Sequence, residues 1–148
     1  MIAGTGIDLV ELARMEQALK RPSFAKRVFT EEERRQAAGS IRRFAGDFAV
    51  KEAVAKAMGT GVRGFGPQDI ACIRNALGAP EAVLSGRAAA LAKSLGITRF
   101  HISITNTKVL AAAVAVAERE DGRVRDAGMV RESGMARDDE PFLQASKA

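Results

Sequence analysis

The sequence predicts an α+β fold. Segments with the alternation of a β-strand and segments with the periodicity of an α-helix follow one another in mixed order, not as a regular strand–helix repeat. The length of 148 residues suggests one domain, and a hydrophobic content of 47% is enough for a sizeable core.

The first predicted strand, residues 1–10, places a carboxylate beside two glycines. Its alternation puts Gly4, Gly6 and Asp8 on one face. Glycine leaves space beside a strand, and Asp8 stands at the edge of that space.

A run of helices is predicted next. Leu12, Met15 and Leu19 recur at helical spacing, and Thr30 with Glu33 forms a capping box at the start of a later helix. In order, the predicted helices cover residues 11–21, ended by Pro22, residues 23–29, a segment from the capping box onward, and a segment from about Phe44 to Met58, ended by Gly59.

The part of the chain after Gly59 is predicted to be rich in strands. Ile102 and Ile104 face one way in a clearly alternating segment. The predicted elements are a loop at 64–68, a strand at 69–75, a turn at 77–80, a short strand at 81–85, a helix at 86–96 and strands at 99–105 and 109–118.

From about residue 119 the chain is charged, interrupted by glycines and weakly periodic. We interpret residues 1–118 as the domain and residues 119–148 as a charged, partly ordered tail. The tail has six Lys or Arg and seven Asp or Glu, which gives it a net charge of −1. Because the formal net charge of the whole chain is +5, residues 1–118 carry +6. Such a domain attracts nucleic acid, anionic lipid or an acidic protein, and charge alone does not choose among them.

The composition favours a reducing compartment. Cys72 is the only cysteine of the sequence, which excludes an internal disulfide. The N-terminus lacks the pattern of a signal peptide, and the longest apolar run, residues 109–117, is far short of the roughly 20 residues of a membrane span. We expect a cytoplasmic protein without a membrane partner.

The predicted helix at Phe44–Met58 is apolar on most sides, yet it carries Glu52 and Lys56. Burial of an unpaired carboxylate is costly, so Glu52 needs a partner. One interpretation is an ion pair between Glu52 and Lys56, which are four residues apart. The other makes Glu52 a ligand of a hard cation such as Mg²⁺, with Lys56 as a phosphate ligand and Asp8 as the second carboxylate.

Four segments resemble a known family in their order and spacing. They are GIDLVELARM near the start, FTEEE, FAVKEAVAKAMGTG and HISITNTKVLAAAVAV. Together they resemble the holo-[acyl-carrier-protein] synthases of the phosphopantetheinyl transferase superfamily, over roughly residues 2–117. The resemblance implies the phosphopantetheinyl transferase fold, in which helices pack on a mainly antiparallel sheet.

The resemblance also implies a reaction, the transfer of phosphopantetheine from coenzyme A to a serine of an apo acyl carrier protein. Adenosine 3′,5′-bisphosphate is the leaving group. Asp8 and Glu52 correspond to the Mg²⁺ ligands, and Lys56 to a catalytic residue near the phosphates. Glu52 is the expected proton acceptor, directly or through water. The expected contacts with coenzyme A come from Lys56, Gly59, Thr60, Gly61, Asn106 and Thr107.

The partners implied by the resemblance give the positive charge a role. Acyl carrier proteins are acidic, and family members present arginines of the first helix to them, which indicates Arg14 and Arg21. The resemblance further implies a homotrimer with active sites between protomers. Whether the carrier belongs to fatty acid or to secondary metabolism stays open.

Four positions depart from the usual family pattern. Asn106 replaces a frequent His, Asp47 a common Arg, Ala79 a common Lys and Leu110 a frequent aromatic residue. Loss of the Arg and the Lys weakens contacts with coenzyme A, so a catalytically weak module that binds coenzyme A or a carrier protein is the alternative. A nucleic-acid-binding domain ranks last, because the chain lacks aromatic clusters and any recognised motif of that class.

Overall fold

The computed structural model of the chain describes residues 1–120, which form five α-helices and two antiparallel sheets. The α+β prediction is confirmed. The elements are β1 (Ile2–Glu11), α1 (Leu12–Leu19), α2 (Pro22–Val28), α3 (Glu31–Ala37), α4 (Ile41–Ala57), a 3₁₀ turn (Pro67–Asp69), β2 (Ile70–Arg74), β3 (Pro80–Leu84), α5 (Gly86–Ser94), β4 (Ile97–Asn106) and β5 (Leu110–Arg119).

The larger sheet has the strand order β1-β5-β4, and the smaller one pairs β2 with β3. Each strand of the larger sheet alternates between a face covered by α4 and an outer face. Gly6 is buried on the inner face, whereas Ile7 and Leu9 on the outer face are 68% and 62% exposed. The alternation predicted for the first strand is therefore correct, and on β1 the outer face exposes apolar side chains within the described residues.

Helix α4 begins three residues before the predicted start at Phe44. Its cap is Ser40, whose hydroxyl oxygen accepts a hydrogen bond from the backbone N–H of Arg43 at 3.3 Å. The helix ends at Ala57 and is followed by Gly59 with φ +80°, a conformation that glycine adopts without strain. The predicted helix end is thus correct. The predicted start is three residues too late because Ser40 was not identified as the N-cap.

The short helices follow the predicted order with two corrections. The first helix ends at Leu19, because Pro22 opens α2 at its first turn instead of only ending α1. The predicted loop at 64–68 runs into a 3₁₀ turn at Pro67. The capping box is present: the hydroxyl of Thr30 accepts from the Glu33 N–H at 3.2 Å, and Thr30 N–H donates to the Glu33 carboxylate at 2.8 Å.

Two hydrophobic clusters share α4. One joins the C-terminal half of α4 to α5, β2 and β5, and includes the buried Cys72. The other joins the start of α4 to α1, α2 and α3, around Phe29 and Phe44. Because α4 belongs to both clusters, its side chains have fixed directions, and this sets the geometry of the polar groups it carries.

The predicted tail falls almost entirely outside the described residues. Arg119 still belongs to β5, and residues 121–148 lie beyond the described range. None of the helices in the described part combines the length and the hydropathy needed to cross a bilayer.

Candidate active site

Helix α4 crosses β1 at a contact that only glycine permits. A Cβ atom on Gly6 would overlap the carbonyl oxygen of Ala53, and one on Gly4 would overlap that of Ala57. The space that the sequence predicts beside these glycines is therefore filled by the backbone of α4, not left for a ligand. The close approach brings the polar side of α4 next to Asp8, two residues beyond Gly6.

Asp8 and Lys56 meet where α4 passes β1. The Lys56 ammonium donates to Asp8 Oδ1 and to the backbone oxygen of Ile7, both at 2.9 Å. The side chains remain 16% exposed at Asp8 and 35% exposed at Lys56. Lys56 thus forms this close ion pair with a carboxylate of another element, not the pair within the helix that spacing alone suggested.

Glu52 lies one turn before Lys56 and is half-buried. Burial raises the pKa of Glu52 above its ordinary value, the nearby Asp8 carboxylate raises this pKa further, and the Lys56 ammonium opposes both. Within residues 1–120 no hydrogen bond or ion pair at salt-bridge distance satisfies the Glu52 carboxylate. The carboxylates of Asp8 and Glu52 thus lie in the same partly buried region, beside the Lys56 ammonium.

This donor set fits a hard divalent cation. In the described residues no three His, Cys, Asp or Glu side chains cluster in the way that a closed protein site for a metal requires. Asp8 and Glu52 offer carboxylate oxygens only, and the repulsion between the two carboxylates, which contributes to the raised pKa of Glu52 after burial, is relieved by a positive charge. Mg²⁺ suits such a place, because it takes one or two carboxylates and fills its remaining positions with water and phosphate oxygens.

The loop after α4 starts beside Lys56. Gly59 and Gly61 both have positive φ angles, and the hydroxyl of Thr60 donates to the carbonyl oxygen of Gly61 at 3.0 Å. These three residues, predicted to contact coenzyme A, therefore stand near Lys56 in the chain.

Asn106 lies elsewhere. It lines a cleft of about 390 Å³ together with Arg42, Arg43, Arg74 and Ser103, which we call the arginine cleft. β4, which carries Asn106, and β1, which carries Asp8, are opposite edges of the larger sheet. Neither Asp8 nor Glu52 nor Lys56 lines this cleft. Within one chain, the predicted site residues therefore form two separate groups.

The remaining predicted residues have local positions of their own. The hydroxyl oxygen of Thr107 accepts from the backbone N–H groups of Val109 and Leu110, at 3.2 and 3.0 Å, and so shapes the β4–β5 turn. Arg14 and Arg21 are exposed, on α1 and at the start of α2. Their roles stay predictions.

Sequence reasoning missed a buried ion pair next to the site. The Lys51 ammonium donates to Glu33 Oε2 at 2.8 Å and to the backbone oxygens of Pro67 and Ile70, and the two side chains are 2% and 0% exposed. Glu33 also accepts from the N–H of Cys72 at 2.9 Å. Lys51 thereby joins α4 to α3 and β2, directly beside Glu52 in the chain.

A second missed pair explains the unusual Asp47. Its buried carboxylate binds the guanidinium of Arg74, and the same guanidinium nitrogen lies 3.7 Å from the sulfur of Cys72. Burial raises the pKa of Asp47, and Arg74 opposes this. The available signal was the spacing of four residues between Asp47 and Lys51, which places two charges on the same buried side of α4.

Comparison with known proteins agrees with the geometry. The family model of the 4'-phosphopantetheinyl transferase superfamily matches residues 4–114. A holo-[acyl-carrier-protein] synthase of Lachnoclostridium phytofermentans is 43% identical over 118 residues, which are 80% of this chain and 97% of that protein.

Solved structures give the same result. The holo-[acyl-carrier-protein] synthase of Neisseria meningitidis superimposes with a TM-score of 0.75 at 36% identity, over 80% of this chain and all of that one. The synthase of Helicobacter pylori, solved in complex with coenzyme A, superimposes with a TM-score of 0.71 at 30% identity, over 77% of this chain and 99% of that one.

Proposed function

Because the chain belongs to the 4'-phosphopantetheinyl transferase superfamily and is an enzyme of the holo-[acyl-carrier-protein] synthase type, we propose that it transfers phosphopantetheine from coenzyme A to a serine hydroxyl of an apo acyl carrier protein. The observation that carries the proposal is the meeting of Asp8, Glu52 and Lys56 where α4 crosses β1. In this reaction the serine oxygen forms a bond to phosphorus, and the bond from phosphorus to adenosine 3′,5′-bisphosphate breaks.

Asp8 and Glu52 would hold Mg²⁺ in this proposal. When bound, the cation neutralises negative charge on the phosphate oxygens of coenzyme A. The two carboxylates repel each other without it, which is consistent with the raised pKa of Glu52. Lys56 needs no large movement to bind a phosphate oxygen, because its ammonium is already held at the edge of the site by Asp8 and the Ile7 carbonyl.

Glu52 is also the residue that we assign as proton acceptor. The serine hydroxyl must lose its proton as its oxygen attacks phosphorus, and Glu52 can accept it directly or through water, because its carboxylate has no hydrogen-bond or salt-bridge partner within residues 1–120. Lys56 then stabilises the charge on the phosphate oxygens while the leaving group departs.

The arginine cleft supports a site shared between protomers. It offers three guanidinium groups and the Asn106 amide to an anion, but it lies across the larger sheet from Asp8. The outer face of that sheet exposes Ile7 and Leu9, which a second copy of the chain would cover. We infer a homotrimer in which the carboxylates of one protomer and the arginine cleft of another bind the same coenzyme A molecule.

Arg74 bears on the departures from the family pattern. The chain has Asp47 where an arginine is common, and Asp47 holds the Arg74 guanidinium at the cleft. A guanidinium therefore lines the cleft despite the substitution, with its charge paired to the Asp47 carboxylate. This observation favours an active enzyme over the alternative of a catalytically weak binding module.

The carrier protein is proposed to dock on the first helices. Arg14 and Arg21 are exposed there, and residues 1–118 carry +6. An acidic partner would be attracted to this side by charge complementarity. The cytoplasm is the compartment in which we expect both partners to meet.

Mass spectrometry of an apo carrier protein tests the proposal. Wild-type protein with coenzyme A and Mg²⁺ should add one phosphopantetheine group to each carrier molecule, and chelation of Mg²⁺ should stop the reaction. Glu31→Gln, an exposed carboxylate on α3, is the matched control and should retain activity. Binding of coenzyme A without any mass increase would instead support the binding module.

A mixing experiment tests the shared site. One variant carries Glu52→Gln, and the other carries Arg42→Glu with Arg43→Glu in the cleft. Each alone should be inactive or strongly impaired, whereas subunit exchange between the two should restore part of the activity, because some mixed sites contain neither substitution. If mixed oligomers form and activity does not return, the site lies within one protomer.

A further inference from the structure

Helix α3 covers one edge of β2 with two of its side chains. The N–H of Cys72 donates to Glu33 Oε1 at 2.9 Å, and the N–H of Arg74 donates to Gln36 Oε1 at 2.8 Å. Glu33 and Gln36 are three residues apart and share a face of α3, and alternate residues of a strand direct their N–H groups to the same edge. The edge of β2 that does not pair with β3 is therefore bonded to α3.

The side-chain amide of Gln36 holds the backbone of Arg74 in both directions. Its oxygen accepts from the Arg74 N–H, and its Nε2 donates to the Arg74 carbonyl oxygen at 3.1 Å. Nε2 also donates to Glu32 Oε1 at 3.1 Å, and a carboxylate can only accept. This contact fixes which way round the amide lies, so that the amide oxygen faces the Arg74 N–H. The end of β2 therefore has one position relative to α3.

Gln36 also contacts a second arginine. The Arg43 guanidinium donates to the backbone oxygen of Gln36 at 3.1 Å, at the C-terminal end of α3. Arg43 and Arg74 both line the arginine cleft, whereas Gln36 does not. A single residue behind the cleft thus contacts two of its three arginines, and these two come from different elements, α4 and β2.

The guanidinium of Arg74 is fixed as well. It binds the carboxylate of Asp47, which is fully buried on α4. This pairing offsets its charge, so Arg74 serves an anion through the direction of its N–H groups rather than through net charge. Arg43 is exposed and has no carboxylate at salt-bridge distance within residues 1–120, so its positive charge stays available. Donors that are held in place before binding lose less conformational entropy when an anion binds.

We propose that Gln36 is a positioning residue for coenzyme A, because it sets the positions of Arg43 and Arg74 in the cleft before the ligand binds. This inference rests on the role that the proposed function gives to the arginine cleft. In the simpler interpretation Gln36 only covers the edge of a strand, as Glu33 does at Cys72. The two interpretations differ in their prediction for ligand affinity, not in their prediction for stability.

Isothermal titration calorimetry with coenzyme A, together with steady-state kinetics, tests the proposal. Gln36→Met nearly keeps the length of the side chain and removes its hydrogen bonds. We expect the Kd and the KM for coenzyme A to rise about threefold to tenfold, as for the loss of one or two neutral hydrogen bonds. The kcat at saturating coenzyme A should stay within about twofold of wild type, because the substitution does not touch the reacting groups.

Gln68→Met is the matched control. The Gln68 amide likewise donates to backbone oxygens of another element, those of Lys26 and Phe29, but Gln68 does not line the arginine cleft. Its Kd for coenzyme A should equal that of wild type. Thermal unfolding shows whether each variant is folded. If Gln36→Met unfolds, Gln36→Asn replaces it, because it keeps the amide on a shorter side chain, and its Kd should lie between those of wild type and Arg74→Gln.

A double-mutant cycle separates positioning from a general loss of structure. In an Arg74→Gln background Gln36→Met should raise the Kd by at most about twofold, because the guanidinium that it positions is already gone. An equal rise in both backgrounds, or a wild-type Kd in the single variant, would overturn the inference.

The same measurements distinguish this inference from the proposed function. If Arg74→Gln and the pair Arg42→Glu with Arg43→Glu weaken the binding of coenzyme A while Gln36→Met does not, only the positioning role is wrong. If none of these substitutions changes the Kd, the arginine cleft does not bind coenzyme A, and both the shared site and the positioning role are wrong.

Discussion

Lys51 and Glu52 are consecutive residues of α4, yet their surroundings differ in every respect that matters for function. Lys51 is almost fully buried, and its ammonium has three oxygen partners, Glu33 Oε2 and two backbone carbonyls. Glu52 is half-buried, faces a second carboxylate and has no close partner within residues 1–120. Side chains at adjacent helix positions point about 100° apart, so Lys51 and Glu52 lie in different surroundings although they are neighbours in the chain.

The difference distinguishes a charged residue that stabilises the fold from one that favours the binding of a cation. A buried charge with all its hydrogen bonds satisfied stabilises the contact between elements, and its removal leaves the partner charge uncompensated. A carboxylate held near a like charge destabilises the folded state and at the same time favours a cation. Lys51 therefore fixes the position of α4, and Glu52 is the residue of α4 to which the proposed function assigns the chemistry.

The largest expected effect is on transfer. Glu52→Gln and Asp8→Asn should each lower kcat/KM by about 10²-fold or more, because each removes a cation ligand and Glu52→Gln also removes the proton acceptor. Steady-state kinetics with the apo carrier protein measures this loss. Retention of wild-type turnover in both variants would contradict the assignment.

Glu52→Gln should leave the fold intact. The pKa of Glu52 is raised in the folded state, so the folded chain binds this proton more tightly, and the free energy of unfolding falls as pH rises from the ordinary pKa through the raised one. At neutral pH the ionised carboxylate thus costs stability. Glu52→Gln should unfold at the same temperature as wild type or at a higher one.

Lys51→Met should show the opposite result. It leaves Glu33 charged and buried, which costs about 3–5 kcal/mol of the free energy of unfolding. Chemical denaturation measures this loss. Glu33→Gln added to Lys51→Met removes the orphan charge and keeps an acceptor for the Cys72 N–H, so the double variant should be more stable than the single one; an equal or lower stability would argue against the buried charge as the cause.

Gly6→Ala should weaken the contact between β1 and α4. Its Cβ would overlap the Ala53 carbonyl, so α4 must move away from β1, at an expected cost of about 1–3 kcal/mol. Activity at a temperature where the variant is folded should also fall, since Glu52 moves away from Asp8. Gly66→Ala is the matched control, because Gly66 has a negative φ and no atom near its added Cβ.

Charge reversal on the docking surface should have a smaller effect. Arg14→Glu should raise KM for the carrier protein several-fold, about tenfold at most, with little change in kcat, and the KM of wild type should rise with salt because exposed charges are screened over about 8 Å at physiological ionic strength. Arg87→Glu on α5 is the control. A KM indifferent to both salt and Arg14→Glu would reject docking at α1.

Much of this molecule could be predicted from its sequence. The resemblance to the holo-[acyl-carrier-protein] synthases is confirmed by the family match, as are the fold and the enzyme class. The strand with Gly4, Gly6 and Asp8 on one face and the helix that ends before Gly59 also follow from local patterns, because alternation, capping and glycine conformation act over a few residues.

What could not be predicted depends on contacts between distant segments. Glu33 and Lys51 are 18 residues apart and Asp47 and Arg74 are 27 apart, with no periodic relation that would pair them. The separation of Asn106 from Asp8 follows from the strand order β1-β5-β4, which local patterns do not contain. The boundary of the domain at residue 118 stays a prediction.

The most direct test of the account is an NMR titration of the Glu52 side-chain carboxyl in wild type and in Asp8→Asn. The account predicts a pKa above the ordinary value for a glutamate in metal-free wild type, because burial and the Asp8 carboxylate both raise it. This pKa should fall in Asp8→Asn, where the like charge is gone, and in wild type with Mg²⁺, where a positive charge is added. A Glu52 pKa at its ordinary value, unmoved by Asp8→Asn and by Mg²⁺, would contradict the claim that these two carboxylates form a cation site.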